Sequence, residues 1–544
     1  MGRHALWEDQ DHPNRVAMAG VNCWRVAKAA RAALLIDGQG YFDALAAALE
    51  RAHRSVFILG WDIHSRLQLR PESEDPCELG RLLDVIVQRR PQLRVHILDW
   101  DYSLLLSSQR ELAPWLRLDW HTHDRVAFRL DSRHPVGGCH HQKLVVVDDA
   151  LAFIGGIDLT ANRWDTSAHR PHDARRINPW GEAYRPFHDV QLAVDGEAAR
   201  CLGELARTRW HRATGEPLPA ADPRQLHRDP WPVSLAARLE NVEVAIARTE
   251  PAYAGRPAVR EIEALYVDAI ASARDSIYIE NQYLSSRTIG DALCASLAAP
   301  RGPQIAIVVP RECSGWLEEG TMGLLRHRLV RRLREADHAG RFRLYYPRLP
   351  DDAACLNVHS KLMIVDDALV RIGSANLSNR SMGLDTECDA QIEAAGDPAA
   401  ARAILGLRER LLAEHLGVAR ARVAQTFRET GDSLFATIDR LAGRERTLAT
   451  LDVEVPEWVD RVVPPNLLTD PEQPFASMRL VEAWTPELLR DPHRRPLAPL
   501  LAILAAMAIA ARVAATDLGA GALALLAGGG IGFAGLRWLR RRKR

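Results

Sequence analysis

His141-Gln-Lys-Leu-Val-Val-Val-Asp-Asp-Ala-Leu-Ala-Phe-Ile-Gly-Gly-Ile-Asp158 returns later in the chain as His359-Ser-Lys-Leu-Met-Ile-Val-Asp-Asp-Ala-Leu-Val-Arg-Ile-Gly-Ser-Ala-Asn376. The offset is constant at 218 positions, from His141 to His359, Lys143 to Lys361, Asp148 to Asp366 and Gly155 to Gly373. The flanks repeat too. Ala52-His-Arg-Ser-Val-Phe-Ile-Leu59 matches Ala273-Arg-Asp-Ser-Ile-Tyr-Ile-Glu280, and Pro91-Gln-Leu-Arg-Val95 matches Pro303-Gln-Ile-Ala-Ile307. Each copy reads helix, apolar strand, helix, apolar strand, then the motif strand. Apolar strands alternating with amphipathic helices predict an α/β layered domain. The fold class is therefore α/β, a duplication with halves at residues 35–215 and 240–415 and a proline-rich joint at 217–232.

Strand geometry says what the motif presents. Residues two apart point to one side, so His141 and Lys143 share a face, as do His359 and Lys361. The apolar runs that follow, 144–147 and 362–365, suit strands covered on both sides. Asp148 and Asp366 fall at the strand ends, where carboxylates fix turns. Gly155-Gly156 and Gly373-Ser374 allow close backbone approach to a ligand. Each copy thus offers an imidazole and an ammonium. Two imidazoles suit a phosphodiester, because one attacks phosphorus while the other protonates the leaving oxygen. The lysines add weight: the chain has only 4 Lys among 70 basic residues, yet both motif positions carry one. Arginine is no substitute for that compact charge on a flexible stem.

The bulk composition is that of a globular chain, with 47% hydrophobic and 26% charged residues in 544. Basic and acidic residues balance at 70 each, so recognition of nucleic acid by charge is not expected. The eight cysteines show no CxxC spacing, and His and Asp residues do not group at metal-ligand spacing. Near the C-terminal end, charge-free stretches at 497–511 and 518–536 flank Arg512 and Asp517, and a basic run follows from Arg537. As a helix, the second stretch reaches about 28 Å, close to a bilayer's hydrocarbon thickness. A transmembrane hairpin over 497–539 with a basic tail is the expectation, and residues 416–496 read as a helical or linker region.

With HxKxxxxD followed by Gly-Gly or Gly-Ser twice in register, the chain resembles the phospholipase D superfamily. Gly155-Gly-Ile-Asp-Leu-Thr-Ala-Asn-Arg-Trp-Asp165, His188-Asp-Val190, Ile279-Glu-Asn-Gln-Tyr283 and Ile372-Gly-Ser-Ala-Asn-Leu-Ser-Asn-Arg-Ser-Met382 are similar to its eukaryotic-type branch. The resemblance runs from about residue 35 to 415. It implies two pseudo-symmetric α/β/α halves forming one active site, and no cofactor or metal. It makes His141 the nucleophile and His359 the general acid, then base. Lys143 and Lys361 would hold the phosphate oxygens, with Asn376 as a further donor. Orienting carboxylates would be Glu387 for His141, with Asp385 as a rival two residues away, and Asp189 for His359. Asp148 and Asp366 belong to the motif but read as structural. Gly156 and Asp158 stand where the widest family pattern has Ser and Asn, the position that Ser374 keeps in the second copy; Asp158 reads as a branch marker. Glu280-Asn-Gln-Tyr283 reads equally as a strand-end turn around a satisfied polar cluster.

The activity implied is a phospholipase D hydrolysing the distal phosphodiester of glycerophospholipids, with head-group exchange when an alcohol replaces water. The alternatives are a cardiolipin synthase-type transferase, a superfamily nuclease, or an inactive membrane scaffold. The implied partners are a phospholipid substrate and a bilayer, with the chain at a bacterial cell membrane and the catalytic domain on the cytoplasmic side. No lipid- or calcium-binding module is expected before residue 35. The oligomeric state, the head group and the order of attack of the two histidines are not encoded in the motifs.

Overall fold

The structure is a computed structural model, and it describes residues 15–73, 77–101, 122–226, 228–312, 322–351, 354–452 and 470–473. The first half carries β1 (Arg25–Ile36), β2 (Ser55–Gly60), β3 (Arg94–Trp100), β4 (Val126–Asp131), β5 (Leu144–Val147), β6 (Leu151–Gly155), β7 (Phe187–His188) and β8 (Val190–Asp195). The second carries β9 (Leu239–Glu250), β10 (Val259–Arg260), β11 (Ser276–Asn281), β12 (Gln304–Val308), β13 (Phe342–Arg348), β14 (Asn357–Val358), β15 (Lys361–Val365), β16 (Leu369–Gly373) and β17 (Glu387–Glu393), followed by β18 (Thr447–Thr450). One sheet runs through both halves in the order β18-β13-β12-β11-β15-β16-β17-β9-β1-β8-β6-β5-β2-β3-β4. Apart from β18, the order mirrors itself about β1 and β9, which pair antiparallel from Arg25 opposite Ile246 to Ala32 opposite Leu239.

The motif strands lie inside each half of this sheet. Leu144 and Val146 point into a core shared by both halves, whereas Val145 and Val147 point into one private to the first half. Leu362 and Ile364 enter the same shared core, and Met363 and Val365 a core of the second half. This two-sided burial is why the runs are apolar at every position. The shared core is closed by two long helices, Gly196–Thr214 and Pro398–Leu416. Each starts and stops for a local reason. Asp397 accepts the Ala399 N–H ahead of Pro398, and Gly215 and Gly417 end the helices in left-handed conformation, at φ 79° and 66°. Helices Arg420–Glu429 and Leu434–Leu441 add Phe427, Phe435 and Ile438 to that core, and β18 pairs with β13. Residues 416–450 are thus built onto the second half.

No helix among the described residues is long and apolar enough to cross a membrane. The expected hairpin at 497–539 lies outside the described residues.

Asp148 and Asp366 do the same work in each copy. Asp148 accepts the backbone N–H groups of His53, Arg54 and Ser55 at 2.6 to 2.8 Å, fixing the entry to β2. Asp366 accepts those of Arg274, Asp275 and Ser276 at 2.7 to 3.0 Å, at the entry to β11. Both aspartates sit in the turn after the motif strand with positive φ, 56° and 54°. Seven residues of extended chain put Asp148 about 20 Å from His141, beyond reach of a shared phosphate. Replacing Asp148 by Ala leaves three donors without their acceptor. We expect urea unfolding to show a loss of about 2–4 kcal/mol, with activity per folded molecule within about threefold of wild type.

Candidate active site

His141 and His359 are each gripped by the opposite half. The His141 N–H donates to Thr386 O at 2.8 Å, and its Nδ1 lies 3.0 Å from Glu387 Oε1 and 3.1 Å from Ser374 O. The His359 N–H donates to His188 O at 2.8 Å, and its Nδ1 lies 2.8 Å from Asp189 Oδ2. In both cases the residue before the carboxylate takes the backbone bond and the carboxylate takes the ring. Occupied Nδ1 atoms leave the two Nε2 atoms as the nitrogens available to a substrate. Asp385, the rival to Glu387, instead accepts the Cys139 N–H and pairs with Arg380 at 2.8 Å.

Both carboxylates are fully buried, and burial decides their chemistry. It pushes Glu387 up to about 8, against hydrogen bonds from Ser374 Oγ and from Ser381 Oγ at 2.7 Å, and it pushes Asp189 up to about 6. Burial, with Lys143 and Lys361 close by, holds both His141 and His359 well below the ordinary imidazole value. Each ring is therefore uncharged at rest, and burial leaves its carboxyl partner readier than usual to hold a proton.

The lysines are treated unequally. Lys143 Nζ pairs with Asp158 Oδ2 at 2.9 Å and donates to His141 O at 3.0 Å. Although burial opposes it, the Lys143 ammonium holds Asp158 ionised below its usual range. The second copy has Asn376 at that place, and Lys361 Nζ turns to Gln282 Oε1 at 3.3 Å and to the His359 carbonyl. Without a carboxylate in hydrogen-bond contact, burial pulls Lys361 down to about 7. Asn376 is buried, and its Oδ1 has no hydrogen-bond partner among the described residues.

Gly156 and Ser374, equivalent in the repeat, complete the asymmetry. Ser374 Oγ supports Glu387, whereas a Cβ on Gly156 would stand 2.4 Å from Asp189 Oδ1. Glycine is required here by the carboxylate of Asp189.

Comparison with known proteins gives the family. The phospholipase D family model matches residues 48–292, and the model described as cardiolipin synthase, PLD-like domain, matches residues 266–404. The chain belongs to the phospholipase D superfamily. It is 26% identical over 465 residues to Phospholipase D A of Dictyostelium discoideum, covering 71% of this chain and 35% of that protein. To Phospholipase D alpha 2 of Arabidopsis thaliana it is 24% identical over 520 residues, covering 68% of this chain and 63% of that protein. The chain thus spans about a third of the Dictyostelium relative's length and less than two thirds of the plant one's. Its fold is shared with the phosphatidylserine synthase of Haemophilus influenzae, with TM-score 0.50, 14% identity, and coverage of 76% of this chain and 97% of that one.

Several residues of this superfamily site escape sequence reasoning. Ser381 and Gln282 stand in the quoted stretches but gain roles only through contacts with Glu387 and Lys361. Arg163 lies over the Phe187 ring at 5.2 Å and helps lower His359, as an extra cation beside the two lysines. Glu280 accepts from His188, His415, Ser360 and Tyr278 within 2.9 Å, so the satisfied polar cluster is what the structure contains there.

Two predictions follow from these contacts. Gly156→Ser forces Asp189 off His359, so activity should fall at least about tenfold while circular dichroism is unchanged, since a misplacement of about 1 Å carries such costs. The second concerns pH. Glu387 in the folded chain titrates near 8, above its ordinary 4.5. Folding therefore retains a proton that the unfolded chain has released, and this stabilisation is complete below about pH 4.5 and is lost as pH rises toward 8. Glu387→Gln lacks it. The wild-type melting temperature should fall relative to that of the variant between about pH 5 and 8; parallel melting curves would refute the assignment.

Proposed function

We propose that the protein is a phospholipase D acting on glycerophospholipids through a phosphohistidine. The observation that carries this reading is the pair of uncharged imidazoles, each fixed at Nδ1 by a buried carboxylate from the other half. His141 Nε2 attacks phosphorus, and the P–O bond to the head group breaks as His359 delivers its Nε2 proton to the departing oxygen while the proton held by the Asp189 carboxyl moves to His359 Nδ1. Water then gives a proton back to His359 and attacks phosphorus, and the P–N bond breaks to release phosphatidate. Lys143, Lys361 and Arg163 stabilise the negative charge that shifts among the phosphoryl oxygens. An alcohol in place of water completes head-group exchange by the same steps. Asp189 and Glu387 orient the two rings through Nδ1, and Asn376 and Ser374 belong to the surrounding polar shell.

The reading places the enzyme at a cell membrane, where its substrate resides. A second reading, cardiolipin synthase-type transfer to a phospholipid acceptor, is favoured by the family model matching residues 266–404. Mass spectrometry of products from mixed phospholipid vesicles with ethanol, using wild type and His141→Asn, separates the two. Phosphatidate and phosphatidylethanol from wild type alone are expected. Cardiolipin would turn the assignment to the synthase, and no lipid product from the folded wild type would refute both.

A further inference from the structure

Behind the Asp189–His359 pair lies a cluster the reaction does not use. Asp37 opens the helix Asp37–Leu49, His169 comes from the loop after β6, His188 ends β7, and Glu414 is in the last turn of Pro398–Leu416. All four side chains are buried. One atom from each meets the others: His188 Nδ1 is 2.9 Å from both Asp37 Oδ1 and Glu414 Oε1, and His169 Nε2 is 3.0 Å from Glu414 Oε1 and 3.7 Å from Asp37 Oδ1. All four atoms lie within 4.8 Å of one another. The two rings stand nearly perpendicular, at 86°.

We infer that these four atoms form a structural site for a divalent transition ion of the zinc class. Four ligands about 2.0–2.1 Å from a tetrahedral ion stand about 3.3 Å apart, which the observed separations bracket. As a plain ion-pair network the cluster is poorly arranged, because each ring nitrogen carries at most one N–H yet faces two carboxylate oxygens. One dication at the centre serves all four donors at once and replaces two protons, so the buried charge does not change.

The surroundings match what a bound metal requires. The second nitrogen of each ring has its own carboxylate: His169 Nδ1 lies 2.9 Å from Asp165 Oδ2, and His188 Nε2 lies 2.8 Å from Glu280 Oε2. Such partners fix tautomer and ring direction in metal-bound histidines. Ser167 Oγ donates to the free oxygen of Asp37 at 2.7 Å, and Arg176 pairs with Asp165 at 2.9 Å. Two nitrogens and two oxygens at close quarters favour zinc, cobalt or nickel over calcium or magnesium, which take six or more ligands, mostly oxygens.

Position gives the site a role. Ligand His188 immediately precedes Asp189, and the Asp37 N–H donates to Asp189 O at 2.8 Å. The ion would tie the helix of Glu414, from the second half, to the strand that presents Asp189. These four residues are positioning residues.

The test uses the full chain, stripped with a chelator under native conditions and shown to remain folded, then titrated with zinc or cobalt(II). We expect one ion per chain by elemental analysis, a higher melting temperature, the intense visible absorption of four-coordinate cobalt, and two imidazole nitrogens by X-ray absorption. Asp165→Asn, which leaves all four ligands in place but weakens the partner of His169 and of Arg176, should weaken uptake about 10–100-fold in a chain shown to remain folded. Glu414→Gln should abolish stoichiometric uptake, and His415→Asn, whose ring meets Glu280 and packs against His188 but supplies no ligand atom, should retain it. A folded wild-type chain that binds no ion would overturn the site. So would cobalt spectra without four-coordination, or uptake unaffected by both Glu414→Gln and Asp165→Asn.

Discussion

A carboxylate can be buried without solvent only if a partner meets it, and for the two carboxylates that hold the site's imidazoles the partner is on the other half of the chain. Glu387 and Asp189, both fully buried, each find an imidazole that arrives across the β1–β9 seam. That single requirement orders much else. It fixes where the motif strands end, because His141 and His359 must lie against Thr386 and His188. It also demands a continuous sheet, since a hinge at the seam would let both pairs drift. The stiff antiparallel pairing of β1 with β9 and the shared core beneath it meet that demand.

The repeat was legible because duplication writes the same physical constraints twice. Unbroken apolar runs at 144–147 and 362–365 announce strands covered on both faces, and the two cores on either side of β5 and β15 are that cover. Asp148 and Asp366 were legible as turn carboxylates for the same reason, since each collects three backbone donors. The ring–carboxylate pairs could be read only by resemblance, because residues 141 and 387, or 189 and 359, share no spacing signal. Asp37, His169, His188 and Glu414 left still less trace. Metal-ligand spacing detects ligands close in sequence, and these come from four remote segments that only the folded chain brings together. The mirrored strand order is likewise a property of long-range pairing, invisible to local periodicity.

The halves have diverged where the chemistry is least symmetric. Lys143 is tied to the carboxylate of Asp158, whereas Lys361 faces neutral Gln282 while Asn376 Oδ1 meets no hydrogen-bond partner among the described residues. The longer Glu387 is buttressed by Ser374 and Ser381, and the shorter Asp189 is given room by Gly156. One ammonium is thus paired with a carboxylate, and burial leaves the other as a group able to change its charge. Two histidines with the same local frame consequently sit in different fields.

The antiparallel meeting of β1 and β9 is the geometry of a two-fold dimer interface, drawn here within one polypeptide. In a true dimer of half-length chains, the joining of His141 to Glu387 and of His359 to Asp189 would depend on how much protein was present. A covalent joint through residues 217–232 turns that encounter into an intramolecular event, at an effective concentration set by a short tether. Dilution, which dissociates a dimer, leaves such a site assembled. The same joint frees the two copies from identity, so a glycine in one and a serine in the other can each serve its own carboxylate.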